Sequence, residues 1–506
     1  MSFALLSVFV IPTLSVPFVY LVGKKSPKAA AIFVALIALV NLALILTTVP
    51  AVLNNSDHRY VETYQWIQII SANFTLFVDG ISFSIAIISL VLIFAAAIFS
   101  INYMEGKKNL PVYYALLCLL SVGLVGVFIT SNLLLFYFCW ELMLVPAYFI
   151  IGSWGYRDSY KAAFKLFIFT HAGAVFVLLG IGAIYMTTGL TDMFQVQAAL
   201  MNASTDIVRW ILIALTAGFA VKMAIVPVHM WLPDAHSEAP ATMSALLSGV
   251  IISAGAYAIL RLSLGVVFPA VGIAFGTDFL HGLAIFGIVS AFFGSLIALV
   301  ETDIKRLIAY SSIAHMGYIM FGLSLFPTSI FLGSAVILAS ATAITGTVLH
   351  IISHAVSKGL FFLSAGAVMH QTETRDIREM GGLAGKMPVT TVSAITAALS
   401  IAGTPPFACF ISEFLIFVGA FEIIKTDSFY LLPTVFMLIA TVLSLAYSLR
   451  FISKVFLSQP KNGENKKILD VPNYMKLALA VLVVLVVIIG IYPTFFINLI
   501  QTVQIG

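Results

Sequence analysis

The sequence predicts an all-α polytopic membrane protein with about fourteen transmembrane helices. Three observations predict it. First, 61% of the 506 residues are hydrophobic and only 9% are charged, whereas about a quarter of the residues in a globular domain are charged. Second, apolar runs of about 20 residues recur from end to end, the length a helix needs to cross a hydrocarbon core about 30 Å thick. Third, no polar stretch between the runs is long enough to fold as a sizeable soluble domain. There is neither a phosphate-cradling glycine loop nor a nucleophile constellation, so no covalent catalysis is expected within the chain. No nucleic-acid partner is expected either.

The runs place helices near residues 2–22, 29–49, 79–102, 111–130, 132–152, 161–187, 209–228, 241–261, 280–300, 305–325, 330–370, 389–419, 430–450 and 475–500. The first resembles a signal peptide in hydrophobicity. It lacks a basic leading region and a small-residue cleavage site, so it is expected to be retained as a span. Cys118, Cys139 and Cys409 fall in apolar segments without paired spacing and read as small buried hydrophobes. Asp79 opens the third span and reads as a helix cap.

Orientation follows from the basic residues. Of the 25 Lys and Arg, with those at span ends assigned to the adjoining loop, 18 belong to odd-numbered loops, 4 to even-numbered loops and 3 to span interiors. The positive-inside rule then puts both termini on the outer face. A third crossing between Leu307 and His370 would reverse every later loop, so two are expected there. A helix over 330–370 would rise about 60 Å at 1.5 Å per residue, twice the hydrocarbon core. It is expected to break, with Gly346 as the interruption, or to extend beyond the bilayer.

Function is carried by the polar residues inside the apolar runs. A charge in hydrocarbon costs several kcal/mol unless it is paired, hydrated or neutralised, so Glu141, Lys165, Lys222, Lys358 and Glu413 are functional candidates. Glu141 precedes Pro146 by five residues and Lys222 precedes Pro227 by the same interval, while Pro405 and Pro406 precede Glu413. Proline breaks a helix and frees a carbonyl, and broken helices at membrane depth line polar interiors and ion sites. A Glu141–Lys222 ion pair is the natural expectation. His350, His354 and Lys358 stand at i, i+4 and i+8, one face of a helix over about 12 Å, which is a proton-relay spacing. The alternative, a metal bound by the two histidines, lacks visible further ligands. His171 and His315 are weaker relay candidates. Lys165, one turn beyond Lys161, also reads as a lysine snorkelling to the inner interface. The loop containing His229, Asp234, His236 and Glu238 invites a metal, but reads more simply as a turn joining two half-helices through polar contacts.

Several segments together carry a resemblance: Trp140-Glu141, the run from Lys222 through Pro240, Asp303 through Ser312, and Ala314-His-Met-Gly-Tyr318. Over residues 79 to about 455 the chain resembles the antiporter-like, proton-pumping subunits of respiratory complex I, of multisubunit cation/proton antiporters and of membrane-bound hydrogenases. It looks most like the chain M branch (subunit 4 in the mitochondrial naming), because Glu413 stands where sister chains carry lysine. The end near Gly506 also differs from chain L, whose long lateral helix would extend much further.

The resemblance implies two inverted five-helix repeats with discontinuous helices: residues 1–104 as N-terminal helices, 111–261 and 280–450 as the repeats, and 475–506 as the C-terminal helix. It implies a membrane-arm subunit of a redox-driven respiratory complex of the NADH-quinone dehydrogenase type, in a prokaryotic cell membrane. The alternative is a subunit of a cation/proton antiporter or a membrane-bound hydrogenase. Glu141 and Lys222 would form the first ion pair, His350 and Lys358 the central relay with His354 and His315 beside it, and Glu413 the terminal site. No cofactor or metal is implied in this chain. Iron-sulfur clusters, with a flavin or a nickel-iron centre, would sit in partner subunits. Those partners would be other antiporter-like and small membrane subunits, a peripheral redox arm and lipids, with protons or sodium as cargo. Two departures stand out. Ser253 occupies the place where chain M relatives tend to have a lysine in the eighth span, and the His350, His354, Lys358 series looks more like chain L or the antiporters.

Overall fold

A computed structural model describes residues 3–326, 333–459 and 468–503. Among the described residues, twelve helices are long and apolar enough to cross a membrane. They fall on twelve of the fourteen expected spans, and the other two are the interrupted ones. The seventh lies on Thr205–Met223, which carries Asp206, Arg209 and Lys222 in 19 residues and ends where Ala224 takes a left-handed conformation (φ +59°). A short half-helix, Leu232–Glu238, follows the break. The twelfth is split into Pro388–Ile401 and Ala408–Ile424. Prolines mark both breaks because they cannot donate to the preceding turn. Gly403 turns the second break at φ +63°, where an added Cβ would run into the Glu413 carboxylate. Only glycine meets both demands.

Burial sorts the helices into a centre and a rim. The most apolar windows of Ile304–Ser324 and of the helix ending at Thr372 are 94% and 100% buried, whereas that of Ala4–Lys25 is 22% buried. The central helices are those rich in Ser, Thr, His and Lys, and the rim helices expose Leu, Val and Phe. This is the arrangement hydrocarbon imposes on side chains that need polar partners.

The expected interruption at Gly346 is corrected. Gly333–Thr372 is one helix of 40 residues. Gly346 instead lets Ala408–Ile424 approach: a Cβ there would lie 2.7 Å from the Ile416 nitrogen and 2.9 Å from the Ser412 oxygen. The preceding residues, 327–332, lie outside the described part of the chain.

One element departs from an all-helical reading. Tyr60–Ile67 and Ala72–Val78 form an antiparallel hairpin. Its buried Glu62 accepts from the Leu5 and Leu6 amides at 3.0 and 2.9 Å and from the Tyr60 and Tyr64 hydroxyls, each at 2.9 Å. The carboxylate thereby caps the first helix from outside, satisfying amides that have no partner within it. Glu62→Gln, which places an amide NH2 against those donors, is expected to lower stability by about 1–3 kcal/mol. A downward shift in thermal unfolding of the purified protein would register it. Asp79 caps Gly80–Tyr103 with a capping box and also pairs with Arg261 at 2.7 Å. The three cysteines are free and buried.

Candidate functional site

The polar residues of the central helices converge on one buried axis. At one end, Glu141 Oε2 meets His171 Nδ1 at 3.3 Å, with the His171 ring stacked on Phe167. This pair is not deep in the core: the side chains are 24% and 49% exposed, on the lateral face of the chain.

The expected Glu141–Lys222 ion pair is corrected. Lys222 is buried and donates to the Trp140 carbonyl at 2.9 Å, with its ammonium 4.0 Å from the centre of the Trp140 ring. The regular helix is interrupted at Met143, between Leu133–Leu142 and Leu144–Trp154. No salt bridge joins Glu141 to Lys222 among the described residues, and Glu141 pairs with His171 instead. Pairing through one carbonyl and an aromatic face leaves the ammonium free to exchange its proton, which a tight salt bridge would oppose.

The Ser253 hydroxyl donates back to Gly249 O in its own helix. The contact between the eighth and tenth spans is made one turn earlier, where Ser248 Oγ and Ser312 Oγ lie 2.8 Å apart. The neighbouring Ser311 hydroxyl and the Ile308 carbonyl hold the buried ammonium of Lys358. Serines thus stand where a lysine was expected.

The second half of the axis is a cluster of three imidazoles. His315 Nδ1 and His350 Nε2 are 3.1 Å apart, and the centroids of His315 and His354 are 5.7 Å apart. His350 Nδ1 reaches Ser412 Oγ at 2.9 Å, and His315 Nε2 reaches the Tyr447 hydroxyl at 3.3 Å. His315 Nδ1 lies 4.0 Å from Glu413 Oε1. His315, named above as a weaker candidate, is therefore the hub. His315, His350 and Glu413 are also the one group of three potential metal ligands among the described residues. At 3.1 Å the two ring nitrogens are placed to share a proton.

The remaining candidates lie at the basic-loop face. Lys165 pairs with Asp234 at 2.7 Å, and Asp234 also takes Arg306 at 2.8 Å. Arg375 bridges Glu238 at 3.0 Å and Asp303 at 2.7 Å. These pairs fasten the half-helix Leu232–Glu238, so the loop acidic residues serve as a clasp. Burial opposes ionisation of Asp234, but hydrogen bonds from Lys165 and Arg306 outweigh it and hold its carboxyl below the ordinary value. Because the folded-state value is the lower one, its stabilising contribution is present at neutral pH and is lost as pH falls through that lowered value. Asp234→Asn should remove the contribution at every pH. Acid-induced loss of assembled complex is then expected to begin at higher pH in the variant, as followed by native gel electrophoresis across a pH series. His236, by contrast, is fully buried against Phe362, and burial with the charges of Lys305 and Lys358 keeps its imidazole well below the usual value.

Comparison with known proteins gives this geometry a lineage. Residues 130–444 match the family described as NADH:quinone oxidoreductase/Mrp antiporter, TM. NADH-quinone oxidoreductase subunit M of Rickettsia prowazekii is 31% identical over 495 residues, covering 96% of this chain and 95% of that protein. Among solved structures, a chain of respiratory complex I from Thermus thermophilus superposes with a TM-score of 0.82 at 22% identity, covering 98% of this chain and 97% of that one. A chain of the Mrp complex from Dietzia sp. DQ12-45-1b gives 0.81 at 21% identity, covering 99% and 96%. Twelve membrane-length helices, two proline-broken ones and a buried Glu-Lys-His axis are thus those of an integral membrane protein that belongs to the NADH:quinone oxidoreductase/Mrp antiporter transmembrane family.

Proposed function

We propose that this chain is the proton-translocating subunit M of the membrane arm of an NADH-quinone oxidoreductase. The observation that carries the reading is a set of buried polar groups on the central helices: Lys222 on the Trp140 carbonyl, Ser248 against Ser312, Lys358 on Ser311 and the Ile308 carbonyl, and the His315–His350 pair beside Glu413. Each member can exchange a proton or orient one that does. The chain would hold no redox centre. Electrons would pass through iron-sulfur clusters and a flavin in a peripheral arm, and their energy would reach this chain as charge displacements along the axis. Residues 111–261 and 280–450 act as two repeats, with the broken helix fourth in each run of five. The 18-to-4 loop asymmetry puts both termini on the outer side.

The lateral position of Glu141 and His171 supports membrane partners. A carboxylate and an imidazole facing lipid are costly, so a neighbouring membrane subunit covers that face. A second reading, a subunit of a multisubunit cation/proton antiporter, draws on the family's own breadth and on the His350, His354, Lys358 series. Purification from the native membrane separates the two. The first expects this chain to co-purify with iron-sulfur subunits and NADH-dependent quinone reduction. Isolation with membrane chains alone, together with sodium-dependent proton exchange, would favour the second.

A further inference from the structure

The His315–His350 pair is the middle of a longer hydrogen-bonded chain whose ends lie on either side of the second proline break. At one end, the Ser412 hydroxyl donates to the Cys409 carbonyl at 2.8 Å and lies 2.9 Å from His350 Nδ1. His350 Nε2 is 3.1 Å from His315 Nδ1, and His315 Nε2 is 3.3 Å from the Tyr447 hydroxyl. At the other end, Tyr447 Oη is 2.8 Å from Ser444 Oγ, which donates to the Ile401 carbonyl at 3.0 Å. Ile401 is the last residue of Pro388–Ile401, Cys409 opens Ala408–Ile424, and Ser444 and Tyr447 come from Leu431–Ile452. All five side chains are buried.

The chain is one hydrogen short. With both imidazoles neutral, its five side chains carry one polar hydrogen each. Six contacts join them to one another and to the two carbonyls. Each serine gives its hydrogen to a carbonyl. Ser412 then accepts from His350 Nδ1–H, His350 Nε2 accepts from His315 Nδ1–H, and Ser444 accepts from the Tyr447 hydroxyl, which assigns the tautomers from the network. Two lone pairs are left facing each other, on His315 Nε2 and Tyr447 Oη. That contact, at 3.3 Å, is the longest of the six, as a contact without a hydrogen should be.

We propose that the contact between His315 Nε2 and Tyr447 Oη is a one-proton site, with Tyr447 and Ser444 as its positioning residues. The net step breaks one O–H bond of a hydronium ion, leaving water, and forms the Nε2–H bond of His315. The imidazolium donates to His350 Nε2 and to Tyr447 Oη, so all six contacts then hold a hydrogen. Glu413 Oε1, 4.0 Å from His315 Nδ1, balances the charge. Release breaks either N–H bond of the imidazolium and gives the proton to a carboxylate or to water. This inference rests on the translocation reading above.

The test measures protons translocated per electron by the whole complex in sealed vesicles. Tyr447→Phe removes the acceptor of the new N–H bond. Ser444→Ala touches neither imidazole, yet it frees the Tyr447 hydrogen to turn onto His315 Nε2 and occupy the site. Ser444→Thr keeps the hydroxyl on a larger side chain. Tyr447→Phe and Ser444→Ala are expected to assemble and to transfer electrons, with the ratio reduced about tenfold or more, while Ser444→Thr keeps about half of it or more. A native ratio in Tyr447→Phe would overturn the proposal whether or not the Ser444 variants assemble, and so would a native ratio in Ser444→Ala. A Ser444→Thr ratio as low as that of Ser444→Ala would assign the loss to packing and also overturn it. Lys222→Met, outside the chain, serves as the control. If it stops translocation while Tyr447→Phe does not, the one-proton site fails and the translocation reading stands. If both translocate normally, that reading itself has failed.

Discussion

Lys222→Met is expected to cut proton translocation by about tenfold or more while the complex still assembles and reduces its acceptor. Methionine follows the lysine stem and fills its volume. What is lost is the ammonium between the Trp140 carbonyl and ring. The carbonyl loses a partner, at a cost of about 1–3 kcal/mol, but removing an unpaired buried charge offsets that in the opposite direction. Stability should therefore change little. A scaffold with fixed charges predicts the reverse, with Lys222 variants failing to assemble and any assembled complex pumping normally. Quantifying assembled complex on native gels and translocation per electron in the same preparation distinguishes the two.

Glu413→Gln should have a comparable effect at the other end of the axis. The Glu413 carboxylate lies 4.0 Å from His315 Nδ1. At that separation two unit charges interact by about 4 kcal/mol at an effective dielectric of 20. Moving one charge against 100 mV takes about 2.3 kcal/mol. The attraction is thus large enough to draw a proton onto His315 against a membrane potential, and glutamine cannot supply it. Glutamine also preserves the space beside Gly403, so the second break should keep its shape. The expected result is loss of translocation with unchanged expression. Glu413→Asp should recover part of the activity, because its charge is intact and only its reach is shortened.

The charged stations were legible because ionisable residues in apolar runs are rare enough to be conspicuous, and Glu141, Lys222, Lys358 and Glu413 all lie on or beside the axis. Their partners were not legible. Hydropathy gives depth in the membrane but not the direction in which a side chain turns, so Glu141 could be placed near Lys222 without revealing that it faces His171. The Trp140 carbonyl has no sequence signature at all. Burial of Lys305 was not legible because it adjoins Arg306 at a loop boundary, where basic residues are ordinary. Ser253 was marked as a gap, and Ser248 and Ser312, which touch in the structure, look in the sequence like common helix residues. Gly346 shows the converse error: a glycine inside a long apolar helix signals either a break or a close neighbour, and only packing tells which. The hairpin escaped because its strands lie in a segment too short and mixed to rank beside so many long helices.

Proton transfer from Lys222 to Glu413 would have to pass the serine contacts and Lys358. The most direct measurement is the number of protons translocated per electron by vesicles carrying the Lys358→Met complex, compared with the native complex at equal electron flux. A fall of about tenfold or more at retained electron transfer is the predicted result. An unchanged ratio would contradict the account, because protons would then be crossing without the one lysine that joins its two halves.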